Sequence, residues 1–503
     1  MKTPCVIITL FLYVIIYSMT AFAFEYESDR VAMSLDGYLE GNGIYALKGR
    51  TPDEDPSYTL GLGCKSTLGS WGAFKLALQG VYDGKVFAAH NDRLFNEFDK
   101  VYQDKNPYIN VDEAYIDIYT EKMDLRLGIQ KFAWGRLDEI NPTDNMNTED
   151  FTEGTMRKEN ERKIGAPSIK ANIYTDLANV EIGWIPRYVP YRLPTPEERW
   201  FPPVLKAPSV IPTNTSIGDI PVTAIYKDID LPAFTIGNSE IGVRISGYIG
   251  GWDLSLSYFS GYDPMPVTAS PTELIVELEN LLPLKANVMT QVYVEPRIHR
   301  FQVFGFDFST TYGPLTIRGE WAYFDGKYYV RKTEDILREE MTMEKQQAIM
   351  TEFLREFLAS GGTKTRQTFY FEPQMELQKD SMKYGIGIDY IHGDTTVSLQ
   401  CIQECILDYD KAKSVHFNKE GLDTTFTLDI RRFFIQNTLE IDLAGAYNIE
   451  FQDILVKPLL TYSFTDNIHG TLGAILLDGK YDDSLIGQFK DNDEIFAKIR
   501  YSF

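Results

Sequence analysis

From about residue 31 to Phe503 the chain falls into segments of roughly ten residues in which apolar and polar side chains alternate, separated by turns rich in glycine and charge. A period of two is the period of a β-strand, so each segment presents one apolar and one polar face. In 252–260, Trp252, Leu254, Leu256 and Tyr258 oppose Asp253, Ser255 and Ser257. In 314–324, Leu315, Ile317, Trp321 and Tyr323 oppose Arg318 and Glu320, and the chain ends with Ile495, Ala497, Ile499, Tyr501 and Phe503 against Lys498 and Arg500.

The alternation predicts strands at 31–46, 57–68, 71–83, 109–120, 123–134, 163–175, 178–189, 240–249, 252–262, 297–310, 314–325, 381–391, 395–408, 422–431, 437–447, 453–464, 468–478 and 494–503. That is about eighteen strands, with sixteen as the alternative because the turn before Asn437 and the link at 448–452 are weakly marked. Two-residue turns such as Gly69-Ser70, Glu121-Lys122 and Gly250-Gly251 alternate with long connections, the asymmetry of a transmembrane barrel with periplasmic turns and extracellular loops. Residues 1–23 read as a cleaved secretory signal, with Lys2, an apolar stretch to Tyr17 and an Ala21-Phe22-Ala23 ending. Residues 24–503 then form one antiparallel, all-β barrel domain of the cell outer membrane, with long extracellular loops and short helical inserts. Length supports this: 503 residues with only 44% hydrophobic residues suit a large barrel with a wet interior.

Charges on the polar faces come in both signs, Glu113, Asp117, Glu320 and Asp442 among the acids and Arg126, Arg244, Arg318 and Lys457 among the bases. The chain as a whole has 72 acidic against 49 basic residues, so the acidic excess falls mainly in the loops. Such a balance argues against nucleic acid as a partner. The proline-rich segment 190–238, with Trp200 and Phe201, reads as a stiff lid over the mouth. Segments 271–284 and 333–359 repeat apolar residues at helical spacing and are expected to be helices on the rim.

The most distinctive tract runs from Glu113-Ala114-Tyr115-Ile116-Asp117 through Leu125-Arg126-Leu127-Gly128-Ile129-Gln130 to Trp134-Gly135, Asp138 and Asn141-Pro142-Thr143-Asp144. Over about 109–150 it resembles the signature of a large, poorly characterised family of Gram-negative outer-membrane barrels, departing from it at Ile129, where members commonly carry a basic residue. The resemblance implies a surface-membrane channel, in some organisms linked to hydrophobic or aromatic substrates. By its place as the third long connection, 135–162 is expected to fold inward and constrict the pore. Glu113, Tyr115, Asp117, Arg126, Trp134, Arg136, Asp138 and Asp144 are the expected pore and constriction residues. The run 144–150 is dense in hard oxygens but lacks the spacing and glycine of a calcium loop, so no metal is expected there.

No Ser/His/Asp grouping, HExxH run or haem-attachment motif is present, which argues against an enzyme and against a cofactor. Cys64, Cys401 and Cys405 share faces with leucines and are expected to face lipid unpaired. The leading expectation is a porin-like channel for passive diffusion of small solutes. A barrel that sheathes a periplasmic or surface partner such as a cytochrome, and a gated transporter of hydrophobic compounds, are the alternatives. The expected partners are outer-membrane lipid and lipopolysaccharide, the barrel-assembly machinery and small solutes, with a homo-oligomer or periplasmic partner left open.

Overall fold

In the computed structural model, residues 24–28, 31–48, 54–83, 108–153, 158–194, 198–203, 206, 209–211, 219–227, 229–281, 284–340 and 342–503 are described. The expected signal segment lies outside them. Eighteen antiparallel strands close into a barrel. Numbered as barrel strands they are β1 (Val31–Ala46), β2 (Glu54–Leu68), β3 (Gly72–Asp83), β4 (Tyr108–Tyr119), β5 (Met123–Gln130) and β6 (Ala166–Tyr174). Next come β7 (Asn179–Ile185), β8 (Glu240–Ile249), β9 (Trp252–Tyr262), β10 (Arg300–Tyr312), β11 (Leu315–Val330) and β12 (Glu376–His392). The ring is completed by β13 (Thr395–Ile406), β14 (Leu422–Phe434), β15 (Leu439–Asn448), β16 (Asp453–Thr465), β17 (Ile468–Asp478) and β18 (Glu494–Ser502). Each strand pairs with its sequence neighbours, and β18 closes on β1 with Ser502 opposite Tyr38 and Glu494 opposite Ala46. Beyond the end of β18, a short strand Phe24–Glu27 folds back on Val31–Leu35 and covers the rest of that edge.

The sixteen-strand alternative falls because both weak breaks are genuine turns. Ile435, Gln436 and Asn437 all have positive φ, which reverses the chain without a glycine and so leaves little trace in the sequence. At the opposite end, Asn448 caps 449–452 by accepting from the Phe451 N–H.

The faces sort as the alternation predicts. Outward-pointing Leu256, Ile245, Ile388, Leu399 and Leu472 are exposed, whereas Ser255, Asp307, Glu320 and Asp442 on the inner faces are buried. An exterior of exposed Leu, Ile and Phe around a closed sheet is stable only against lipid, and closure satisfies every strand edge, which a bilayer requires. No helix among the described residues is long and apolar enough to cross a membrane, a point that says nothing about strands.

The expected helix at 271–284 is not one. Thr272–Leu281 is a strand paired with Leu284–Arg297 and Arg366–Phe371. Leu274, Val276 and Leu278 do alternate, but the short apolar run also fits a helical stripe, and pairing with a strand on each side, one of them far along the chain, decides between them. With Val210–Ile211, Ile220–Tyr226 and Val267–Ala269 these strands make a second, six-stranded sheet at the loop end of the barrel. The expected helical tract 333–359 is present as Thr333–Glu340 and Met343–Ala359, and the buried Phe353 packs the second helix on Val276 and Val288 of that sheet.

Candidate functional site

The 131–165 connection leaves β5 and turns into the barrel. What pulls it in is a core of a kind usually found in soluble proteins. Phe132, Trp134 and Met146 from the loop pack with Ile185, Phe259, Phe301, Val303, Ala322 and Phe324 on the inner wall of β7 to β11. Glycine makes room for them: a β-carbon at Gly242 would lie 2.3 Å from Met146 Sδ and 2.7 Å from the Trp134 ring. On the adjacent strand β12, at the position paired with Glu320, a β-carbon at Gly385 would come within 2.7 Å of the buried Leu137 side chain.

One carboxylate organises the crossing. Glu320 of β11 is buried, and its Oε1 accepts the backbone N–H groups of Arg136 and of Leu137, the latter at 2.5 Å. Its Oε2 accepts the Thr143 N–H at 3.0 Å and the Thr143 hydroxyl at 2.7 Å. Gly135 supplies the bend beside it at φ 85°, a conformation that glycine adopts without strain. Asp138 ties the loop to the same wall, pairing with Arg318 of β11 at 2.6 Å and accepting from Gln400 of β13 at 2.9 Å, and further along the loop Lys158 lies 3.3 Å from Asp442 of β15.

Each expected residue has a definite place, in two groups. On the wall, Arg126 makes a two-pronged contact with Asp117 at 2.6 and 2.9 Å and stacks its guanidinium 3.7 Å from the centre of the Tyr115 ring. Glu113 pairs beside them with Lys75. In the loop, the Trp134 indole N–H donates to Glu181 at 2.5 Å, Arg136 Nε lies 3.0 Å from Asp307, and Asp138 holds Arg318. Asp144 is 2.7 Å from Lys163, which also holds Glu159 at 2.7 Å, and Asn147 donates to Asp144 at 2.8 Å. The tract Trp134 to Asp144 is therefore a docking device, with the tryptophan as anchor, the glycine as bend and the carboxylates as ties.

Burial pushes the Asp144 carboxyl up to about 6 against the pull of Lys163. Lys163 ends above its ordinary value, because Asp144 and Glu159 outweigh the burial that opposes its charge. Glu149 is likewise raised by burial against the pull of Arg162. A carboxyl raised from 3.8 to about 6 is protonated more readily in the fold than in the unfolded chain, so its ionisation costs stability as pH rises from about 4 to 6. Lys163→Met leaves that buried charge unpaired and is expected to cost about 3 kcal/mol at pH 7. The cost shrinks as the pH falls, because Asp144 without Lys163 takes up a proton at a higher pH than in the wild type, and melting profiles of both proteins between pH 4.5 and 7.5 test it; an equal loss at both ends would refute it.

The loop's core lies in the lumen beside β7 to β11. A cavity of about 230 Å³ remains between the loop's Glu153, Lys158 and Glu161 and the wall of β15 to β18 and β1. Asn42, Ile44, Glu440, Asp442, Lys457, Leu459, Thr461, Thr471, Ile475, Glu494, Phe496 and Lys498 line that wall. None of the eight expected residues is among the lining. The sequence offered no signal for the lining of this cavity, since alternation gives the inner face of every strand equal weight. Among the described residues, no group of three or more His, Cys, Asp or Glu could hold a metal ion. In the 144–150 run, Lys163 and Arg192 sit on Asp144 and Asp150.

A scan against protein-family models returns no match, and neither does a comparison with curated protein sequences. Among solved structures the chain is similar to Acinetobacter baumannii OccAB4, at 9% identity and a TM-score of 0.47, over 95% of this chain and 98% of that one. It is also similar to Pseudomonas aeruginosa OpdL, at 8% identity and a TM-score of 0.47 over 94% and 98% of the two chains. A third is Salmonella typhi OmpF, at 9% identity and a TM-score of 0.41, over 95% of this chain and all of that one.

Proposed function

We propose that the protein is a porin-like channel of the outer membrane, through which small solutes diffuse passively past a constriction built by the 131–165 loop, and that it is not an enzyme. The observation that carries this reading is the loop itself, docked inside the barrel by Glu320 and the Trp134 core with a cavity between it and the wall of β15 to β18 and β1. In this reading the long connections face the outside and the short turns face the periplasm. The ladder of Glu113, Tyr115, Asp117 and Arg126 borders the path on the turn side, while Trp134, Arg136, Asp138 and Asp144 hold the constriction in place. A lumen crossed by its own loop has no space for a sheathed protein, which counts against the scaffold alternative.

The cavity carries Glu153, Glu161, Glu440, Asp442 and Glu494 against Lys158, Lys457 and Lys498, so its balance favours cations. The test is planar-bilayer recording of the refolded mature chain. Discrete openings with a cation-selective reversal potential are expected, and deletion of 138–150 is expected to raise conductance. Unchanged conductance and ion preference in the deletion would overturn the constriction.

A further inference from the structure

The strap that follows β7 crosses to the opposite wall, and its far end is seated rather than draped. Trp200 is buried against Ile475 and Leu477 of β17, with Phe496 of β18 and Phe489 around it, its ring 5.4 Å from that of Phe489. The neighbouring Arg199 lies 3.3 Å from the Glu494 carboxylate and donates to the Asp493 backbone carbonyl at 3.1 Å. Asn492 donates to the Arg199 carbonyl at 2.9 Å.

This seat is continuous with the pore. Ile475, Glu494 and Phe496 belong both to it and to the lining of the cavity. Beyond them Leu459 and Ile44 carry the apolar lane further into the cavity lining. An apolar lane on the wall of a wet lumen is costly unless something covers it, and Trp200 covers its outer end. A flat ring with a cationic group at its side thus already fits that end, the ring among aliphatic and aromatic side chains and the charge on a buried carboxylate.

We propose that Arg199 and Trp200 stand in for the channel's solute: the lane from Leu477 to Leu459, with Glu494 at its outer end, binds a small aromatic cation, and such a solute passes by displacing the strap. This deepens the channel reading and rests on it. The acidic balance of the cavity favours a positive solute along the same route.

Tryptamine is the probe, with indole-3-acetate, which carries the same ring and the opposite charge, as its control. Binding to the detergent-folded full chain is read by calorimetry, and conductance is read separately in bilayers. Wild type is expected to bind tryptamine and not indole-3-acetate, with conductance rising at least twofold as the strap lifts. Trp200→Ala, which leaves the seat vacant, is expected to bind tryptamine about tenfold more tightly, since the ligand no longer competes with an internal group. Glu494→Gln removes the charge and is expected to weaken binding about tenfold. Equal binding of both indoles, or affinity unmoved by Trp200→Ala in a chain that still shows heat-modifiable barrel mobility, overturns the proposal. A barrel silent in bilayers that nevertheless shows this binding pattern would defeat the channel reading and keep the seat.

Discussion

Replacing Glu320 with alanine is expected to raise single-channel conductance several-fold, because this side chain holds the constriction loop across the lumen. Its two oxygens accept three backbone N–H groups, from Arg136, Leu137 and Thr143, and one hydroxyl. Alanine supplies no acceptor, and each buried N–H left without a partner costs about 1–3 kcal/mol. Three such losses come to about 3–9 kcal/mol, enough to shift a docked loop by a hundredfold or more toward undocked conformations. Other ties remain, among them Trp134 with Glu181, Arg136 with Asp307, Arg318 with Asp138 and Lys158 with Asp442, but all are side-chain contacts and none supplies an acceptor to the three backbone N–H groups. Glu320→Gln keeps one acceptor oxygen and should fall between the two. Noisy, enlarged openings in the alanine variant with unchanged barrel mobility on unboiled gels is the expected result; wild-type conductance would mean that the apolar core of Phe132, Trp134 and Met146 docks the loop by itself.

That core marks the limit of what the sequence makes legible. Eighteen strands are readable because lipid outside and water inside impose opposite demands on adjacent residues, and the period of two reports that demand directly. Strands 240–249, 252–262 and 468–478 end where alternation places them. The inward course of the third long loop is also legible, from its place in the order and its polar tract. The means of docking are not. Gly242 and Gly385 read as ordinary strand glycines until the loop that fills their sockets is placed. The same holds for Trp200, whose seat lies on strands almost 300 residues later in the chain. The misread segment 271–284 shares that cause in part: one partner, Leu284–Arg297, follows it directly, but the other, Arg366–Phe371, comes from beyond the reach of local periodicity. Position along a strand, and which inner face stays open, are properties of long-range contacts.

Lys457→Glu tests which wall the permeating ions pass. Lys457 is one of three lysines facing five carboxylates around the cavity, on the strand face that carries Leu455 and Leu459 on either side of it. Reversing it makes the local balance two charges more negative. At roughly 8 Å in a wet lumen, two unit charges change an ion's energy by about 1 kcal/mol, a factor of roughly five for a monovalent ion and in opposite directions for cations and anions. The ratio of cation to anion permeability is therefore expected to rise at least fivefold, read from the reversal potential across a salt gradient, and the rise should shrink as bulk salt screens the site. Lys170→Glu, on the inner face of β6, is the matched control: its side chain lies against the Phe132 ring, with 5.7 Å from ammonium to ring centre, away from the cavity lining. If ions follow that cavity, only the first reversal moves selectivity strongly. Equal shifts from both would mean that ions pass on both sides of the loop, which would then divide the lumen rather than narrow it.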